Sequence, residues 1–317
     1  MAKKRTKKKK AGKHRVEPFG AGTTGRRLEL VAEAKLEALL KDAETQRYEA
    51  SGIQYKDGHF YIVLDNAPHI VRICTDVASA STTTTLIELQ GEGSGYEEIT
   101  FQPYEKQWYC LIEADEPEPK QFKPRVDAFD ETFAFVESFW LDFPVETDNK
   151  GFEGLSYLRY QGEDYVLGLC EGNACKSGSR GRKPGKGRIQ LFRRAPDEWT
   201  HAGTVKLPKS VQFEDYASLD LRNQYVTVLS QVTSAVWVGR IREEAHSIDD
   251  LWEDDGQIYL FPRDAKGRII YCNLEGITWL DEKTFAVVSD KAKRGKQSKR
   301  CEDRDQSIHI FRLTDTS

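Results

Sequence analysis

The sequence predicts an all-β protein, a propeller of five four-stranded antiparallel blades whose ring is closed by a strand from the chain start. Three features lead there: a short motif recurs five times, each copy opens a hairpin, and further alternating segments follow at a repeat of around 50 residues. The copies are Ala50-Ser51-Gly52-Ile53, Tyr96-Glu97-Glu98-Ile99, Phe152-Glu153-Gly154-Leu155, Tyr216-Ala217-Ser218-Leu219 and Leu274-Glu275-Gly276-Ile277, at spacings of 46, 56, 64 and 58 residues. Each reads as an apolar or small residue, usually an acid, a small residue, then a branched apolar residue leading into alternation.

The elements follow in order. Leu28 to Ala34 reads as a strand that aligns with those preceding the other four hairpins. A helix over Arg27 to Ala43 competes, because Leu28, Val31, Leu36, Leu39 and Leu40 roughly follow helical spacing; a helical turn is kept around Leu36 to Lys41. The second strands end on polar residues: Phe60 to Asp65, Trp108 to Glu113, Tyr165 to Glu171, Tyr225 to Gln231 and Phe285 to Asp290. Third strands are His69 to Ile73, Arg188 to Arg193, Ala235 to Ile241 and Ser307 to Leu313; fourth strands are Thr84 to Leu89, Thr132 to Phe143, His201 to Leu207 and Gln257 to Phe261. The last copy stops before a fourth strand, and pairing it with Leu28 to Ala34 removes both free edges of the ring. Six blades is the structural alternative and would need a further copy of the motif.

Residues 1–25 form a basic tail expected to be disordered, and 26–317 a single propeller domain. Nine of the first fifteen residues are basic and none is acidic, leaving 38 basic and 51 acidic residues in the body. The tail reads either as a solubilising arm or as a segment for nucleic acid or a nuclear-import carrier. The longest apolar runs, such as Val166 to Cys170, are far short of the roughly 20 residues of a membrane span. The start lacks the apolar core of a secretory signal, so the expected location is cytoplasmic, or nuclear in a cell with a nucleus, without membrane association. The six cysteines are then expected to be reduced thiols; Cys170 and Cys175 have no second pair to complete a zinc pattern. A monomer is expected.

In a propeller the first strand of each blade lines the axis, and its start shares a face with the loops joining second to third strands. Glu97, Glu153 and Glu275 precede the innermost strands, while Asp65, Glu113, Glu171, Gln231 and Asp290 end the second ones, so eight side chains are expected at one mouth. Crowded carboxylates raise one another's pKa, and a bound cation relieves them. An oxygen-only set favours Ca²⁺, then Mg²⁺ or Mn²⁺, and the six scattered histidines argue against zinc. The plainer alternative has the acids capping strands or lining a water-filled pore.

Two connections on that face are long and basic: Lys176 to Arg188, and the run from Lys291 through Lys293, Arg294, Lys296, Lys299 and Arg300. Around a carboxylate-held cation they suit a substrate bearing phosphate or carboxylate, or else they are solvated linkers. Neither has the phosphate-loop spacing. No Gly-x-Ser-x-Gly elbow occurs; Ser218, Ser230 and Ser289 have no histidine placed beside them by sequence, and His309 reads as a packed strand residue. Trp237 and Trp279 read as packing between blades.

The elements Phe152-Glu-Gly-Leu-Ser and Leu274-Glu-Gly-Ile-Thr-Trp, each leading to an apolar strand that ends in an acid, resemble the β-propellers of the SdiA-regulated and esterase-like-activity-of-phytase group. As an architecture the resemblance covers about residues 26–314. Calcium-activated nucleotidases (apyrases) are similar in being five-bladed rings with an acid-lined axial Ca²⁺ site. The resemblance implies axial metal binding and phosphoester or phosphoanhydride hydrolysis, and it touches Glu153 and Glu275 directly; Ser51 and Ala217 depart from it by lacking the acid.

The expected function is a metal-dependent hydrolase, or at least a binder, of an anionic, phosphorylated small molecule. Its assignments are Glu97, Glu153, Glu275, Asp65, Glu113 and Asp290 on the cation, Glu171 as general base, and Arg180, Arg182, Lys293, Arg294 and Gln231 on the substrate. The alternative is a non-catalytic scaffold for protein or nucleic acid that uses the basic tail.

Overall fold

The computed structural model describes residues 26–40, 47–79, 83–91, 93–147, 150–195, 199–291 and 298–314. Strand β1 (Arg26–Lys35) runs into a short helix α1 (Leu36–Leu40). One antiparallel sheet then takes β2 (Ala50–Lys56), β3 (His59–Leu64), β4 (Ala67–Cys74) and β5 (Thr84–Glu88). A second takes β6 (Tyr96–Gln102), β7 (Gln107–Glu118), β8 (Gln121–Phe129) and β9 (Phe135–Trp140), and a third takes β10 (Phe152–Tyr160), β11 (Glu163–Cys170), β12 (Arg188–Arg194) and β13 (Trp199–Lys206). Helix α2 (Gly178–Gly181) lies in the β11–β12 connection. The remaining strands are β14 (Ser218–Arg222), β15 (Tyr225–Ser230), β16 (Ala235–Arg240), β17 (Gln257–Leu260), β18 (Leu274–Trp279), β19 (Thr284–Ser289) and β20 (Ser307–Leu313).

These last strands and β1 make one eight-stranded sheet in the order β14-β15-β16-β17-β1-β20-β19-β18. The link between its halves is short: Arg26 and Arg27 run parallel to Tyr259 and Leu260 of β17. From Leu28 to Lys35 the same strand pairs antiparallel with Leu313 to Ser307 of β20, so the chain start becomes the outer strand of the chain end. That is the closure the sequence predicts. The helical alternative for this segment is confined to the five residues of α1.

The first strand of each unit packs on the first strand of the next, in the order β2, β6, β10, β14, β18 and back to β2. Apolar clusters fill the gaps between neighbouring units. One joins Leu167 and Leu191 to Val228 and Trp237, and another joins Val236 to Ile277, Phe285 and Phe311. Trp237 and Trp279 both belong to such clusters. The molecule is an all-β propeller of four-stranded antiparallel sheets, and no helix among its described residues is long and apolar enough to cross a membrane.

Local chemistry sets the hairpins. Asp57 and Gly58 joining β2 to β3, and Gln161 and Gly162 joining β10 to β11, all have positive φ, the requirement of tight two-residue turns. At the motif, however, the ladder slips. Pairing jumps from Tyr96↔Ile112 to Glu98↔Leu111, from Phe152↔Cys170 to Gly154↔Leu169, and from Leu274↔Ser289 to Gly276↔Val288. Each slip is a β-bulge, and the residue it leaves out of register is the motif acid: Glu97, Glu153 or Glu275. A bulge bends its strand and re-aims the extra side chain, here into the mouth of the ring.

At the next motif position Gly154 and Gly276 are held to glycine because the neighbouring inner strand passes against them. A Cβ on Gly276 would lie 2.5 Å from Ser51 O and 2.9 Å from Ile53 N, and one on Gly154 would lie 2.9 Å from Leu219 N. For Gly276 all three nearest atoms are β2 backbone, which leaves little room to relax. Gly276→Ala is expected to cost about 1–3 kcal/mol, read as a fall in melting temperature; an unchanged melting point would contradict this packing.

The cysteine expectation is corrected. Cys170–Cys175 and Cys272–Cys301 are disulfide-bonded, while Cys74 and Cys110 are free. Spacing and an inferred compartment cannot reveal which thiols the fold brings together. Disulfides persist in oxidising compartments and are rare in reducing ones.

Candidate functional site

The bulges and the ends of the second strands open on one axial cavity of about 180 Å³. Seven of the eight residues expected at the mouth line it: Asp65, Glu97, Glu153, Glu171, Gln231, Glu275 and Asp290. Glu113 is set beside them inside β7, which runs on to Glu118 instead of stopping there. Carboxylate oxygens of Glu113, Glu153 and Glu171 all lie within 4.8 Å of one another. Sequence reasoning missed Glu49 and Asp215, which also line the cavity. Asp215 stands two positions ahead of Ala217, so this unit supplies its carboxylate earlier in the chain than the others do. Its oxygens accept from Ser230 Oγ (2.6 Å) and Val232 N (3.1 Å).

The cavity wall thus carries eight carboxyl groups and, among the described residues, no basic side chain. In and beside this wall six carboxyls are weakened as acids, first by burial and then by the repulsion of neighbouring acids. Glu97 and Glu153 are pushed well above the ordinary carboxyl range, Glu275 up to about 8, Glu113 up to about 7, and Asp215 and Asp290 up to about 6. For Glu113 the Gly151 N–H, 2.8 Å from Oε1, works in the opposite direction. Gln231 Nε2 donates to Glu275 Oε1.

Two cations touch the edge of this cluster, and sequence reasoning named neither. Lys150 Nζ stands 2.6 Å from Glu171 Oε1 and 2.5 Å from Oε2. Burial opposes its charge, but the hydrogen bond and charge of Glu171, with Glu113 and Glu153, raise its pKa. Arg47 Nη2 bonds Asp290 Oδ2 (3.2 Å) and Lys291 O (2.6 Å), and Nη1 pairs with Glu49 (2.9 Å). The signal for both was position: each lies just ahead of a motif, in the segment leading to an innermost strand.

Other expected roles meet different surroundings. Glu171, expected to be a general base, is ion-paired with Lys150. Arg180 is exposed and its guanidinium bonds Glu146 (3.0 Å), as does Lys176 (3.2 Å); Glu146 is held down to about 2, first by the Ser177 N–H. Neither Arg180 nor Arg182 lines the cavity. The loop bends away because Asn173, buried at its root, donates to Gly181 O and Phe213 O at 3.0 Å each. Lys293, Arg294 and the basic residues of 1–25 lie outside the described residues.

A serine does acquire a histidine, contrary to expectation. Ser289 Oγ lies 3.2 Å from His309 Nε2, and His309 Nδ1 lies 3.2 Å from Glu33 Oε2. The order is that of a nucleophile, base and carboxylate, yet Ser289 and His309 are wholly buried and the hydroxyl donates to Arg304 O at 2.6 Å. Their position ties β1 to β19 and β20 at the closure of the ring.

The raised carboxyls carry a pH dependence. A carboxyl whose folded pKa exceeds its unfolded value keeps its proton in the fold after the unfolded chain has lost it, so stability is full below the unfolded value and declines as pH rises through the folded one. The window runs from about 4.5 to about 8 for Glu275. His309, held below 6.5 chiefly by burial, acts oppositely in acid, which leaves the decline clearest above pH 6.5. Chelator-treated protein is therefore expected to melt at a lower temperature at pH 8 than at pH 6.5; a flat or rising profile there would contradict the repulsive cluster.

Fold and cavity together define a β-propeller with a strongly anionic axial mouth. No protein-family model matches the chain, and no curated protein matches it. Among solved structures, RS223-β-xylosidase aligns with a TM-score of 0.50 at 10% identity, over 90% of this chain and 96% of that one. The GH43_1 enzyme from Xanthomonas citri complexed with xylotriose gives 0.49 at 11% identity (89% and 93%), and glutaminyl cyclase from Myxococcus xanthus gives 0.48 at 11% (92% and 98%). The chain shares the β-propeller fold with such proteins; at these identities the likeness carries the fold alone.

Proposed function

We propose that the chain is a five-bladed propeller that binds a divalent cation in its axial cavity, calcium first and magnesium or manganese next, and through it binds or hydrolyses an anionic, phosphorylated small molecule. The observation that carries this reading is the wall of eight carboxyl groups around about 180 Å³, with three carboxylates close enough to share one ion. The donor set fits. It is all oxygen, as hard cations require, and Asp290 Oδ1 is buried without a hydrogen-bond partner. Glu113, Glu153 and Glu171 would hold the ion, with Glu97, Glu275, Asp65 and Asp290 completing the anionic wall. When bound, the cation supplies charge and Lewis acidity to a phosphate or carboxylate oxygen.

The rest falls to the chain's own groups. Gln231 orients the Glu275 carboxyl, and Arg47, fixed between Glu49 and Asp290, offers a guanidinium at the edge of the mouth. In the cation-free cavity Glu113, at about 7, holds a proton near neutrality that an entering cation would displace. The axial acids also keep alive the architectural likeness to the SdiA-regulated, phytase-like group and to the calcium-activated nucleotidases.

The experiment is a calorimetric titration of chelated protein with Ca²⁺, Mg²⁺ and Mn²⁺. Saturable binding with proton release from the raised carboxyls is expected. Heats indistinguishable from dilution for all three ions would reject the reading.

A further inference from the structure

The geometry points to Lys150 as the resident counter-ion of the Glu113–Glu153–Glu171 cluster, a side chain that an entering divalent cation must displace. The inference rests on the cation-binding reading above and names how that site is gated. Lys150 Nζ lies within 2.6 Å of both Glu171 oxygens, and those oxygens lie within 4.8 Å of the other two carboxylates. Calcium binds carboxylate oxygens at about 2.3–2.6 Å, the same shell that the ammonium fills. Two positive charges that close repel, so ligation by Glu171 competes with its ion pair to Lys150.

The two partners differ in freedom. Glu171 is pinned: its N–H donates to Gly151 O (3.2 Å), its carbonyl accepts from Tyr216 N (3.0 Å), and it follows Cys170 of the Cys170–Cys175 bridge. Lys150 lies ahead of β10 with its side chain 36% exposed, so the lysine is the member able to leave. Glu97, facing the same cavity with no hydrogen-bond partner among the described residues, adds a carboxylate that this single ammonium does not satisfy. The exchange also selects for charge: a monovalent ion replaces one positive charge with another and gains little, whereas a divalent ion adds one to an anionic wall.

Two measurements test this. Wild type and Lys150→Met are titrated calorimetrically with CaCl₂ after chelation, and acetylation of Lys150 in wild type is mapped by mass spectrometry with and without saturating calcium. Lys150→Met is expected to bind calcium about tenfold more tightly, equivalent to about 1.4 kcal/mol, and acetylation of Lys150 is expected to rise several-fold when calcium is bound. Equal or weaker binding by a folded variant, or acetylation that calcium leaves unchanged, would overturn the exchange while wild-type binding keeps the site itself. A wild type that takes up no calcium overturns the site and the exchange together. Should the variant fail to fold, the acetylation result decides alone.

Discussion

Glu153→Gln and Glu275→Gln are each expected to abolish the calcium-dependent rise in melting temperature, while the cation-free variants stay folded and resist high pH better than wild type. Both effects come from one cause. Glutamine keeps the shape of a protonated carboxyl and deletes the charge that burial and neighbouring acids oppose. Each pKa unit by which the fold disfavours that charge is worth about 1.4 kcal/mol, so removing the group lifts the penalty incurred above neutrality. In wild type, calcium at a hundredfold excess over Kd stabilises by about 2.7 kcal/mol, several degrees in a scan. Loss of that shift together with a gain at pH 8 is the joint signature. A calcium shift undiminished in both variants would reject the axial assignment.

The second large effect belongs to Glu98, the residue after Glu97. It stands where the other motif copies have Gly52, Gly154, Ser218 and Gly276, and its side chain turns inward along the axis instead of into the mouth. Its Oε1 accepts from Ile53 N (3.2 Å) and Ile99 N (3.1 Å), and its other oxygen bonds Ser218 Oγ, which in turn accepts from Ile277 N (3.1 Å). One carboxyl thus links β6 to β2 and β14, and through Ser218 to β18. Burial, the leading cause, pushes its pKa well up, so the group works as a neutral acid. Glu98→Ala takes the acceptor from two backbone N–H groups and one partner from the Ser218 hydroxyl, at about 1–3 kcal/mol for each unsatisfied group, and opens a void; a loss of about 3–5 kcal/mol in denaturant unfolding is expected. Glu98→Gln retains shape and donor and should cost less than about 1.5 kcal/mol. Equal losses from the two substitutions would mean that charge, not shape and hydrogen bonding, matters at this position.

Much of this arrangement was legible in the sequence because the repeat is short, regular and tied to hairpins. The motif and the polar residues ending the second strands locate seven of the cavity residues, six acids and Gln231. What stayed hidden has physical reasons. The third strand of the second sheet, β8, contains Pro124 and follows a stretch bearing Asp115, Glu116, Pro117, Glu118 and Pro119, so its alternation is broken although the fold pairs it on both sides. The basic loop from Lys176 to Arg188 has the composition of an anion clamp, but composition does not say where a loop turns, and Glu146 rather than the cavity receives Arg180. The meeting of Ser289 with His309 depends on cross-strand register, and the two disulfides on tertiary approach; neither leaves a local pattern.

The single long side chain at the hub makes the modules non-interchangeable. A ring concatenated from identical copies of the module that starts at β6 would force several carboxyls onto one spot, and a ring of copies of the module that starts at β18 would leave the shaft hollow, with nothing to receive the Ile53 and Ile99 amides. A symmetric redesign of this protein must therefore break its own symmetry at one residue per repeat, and that residue is a direct handle on the order in which the repeats can be strung.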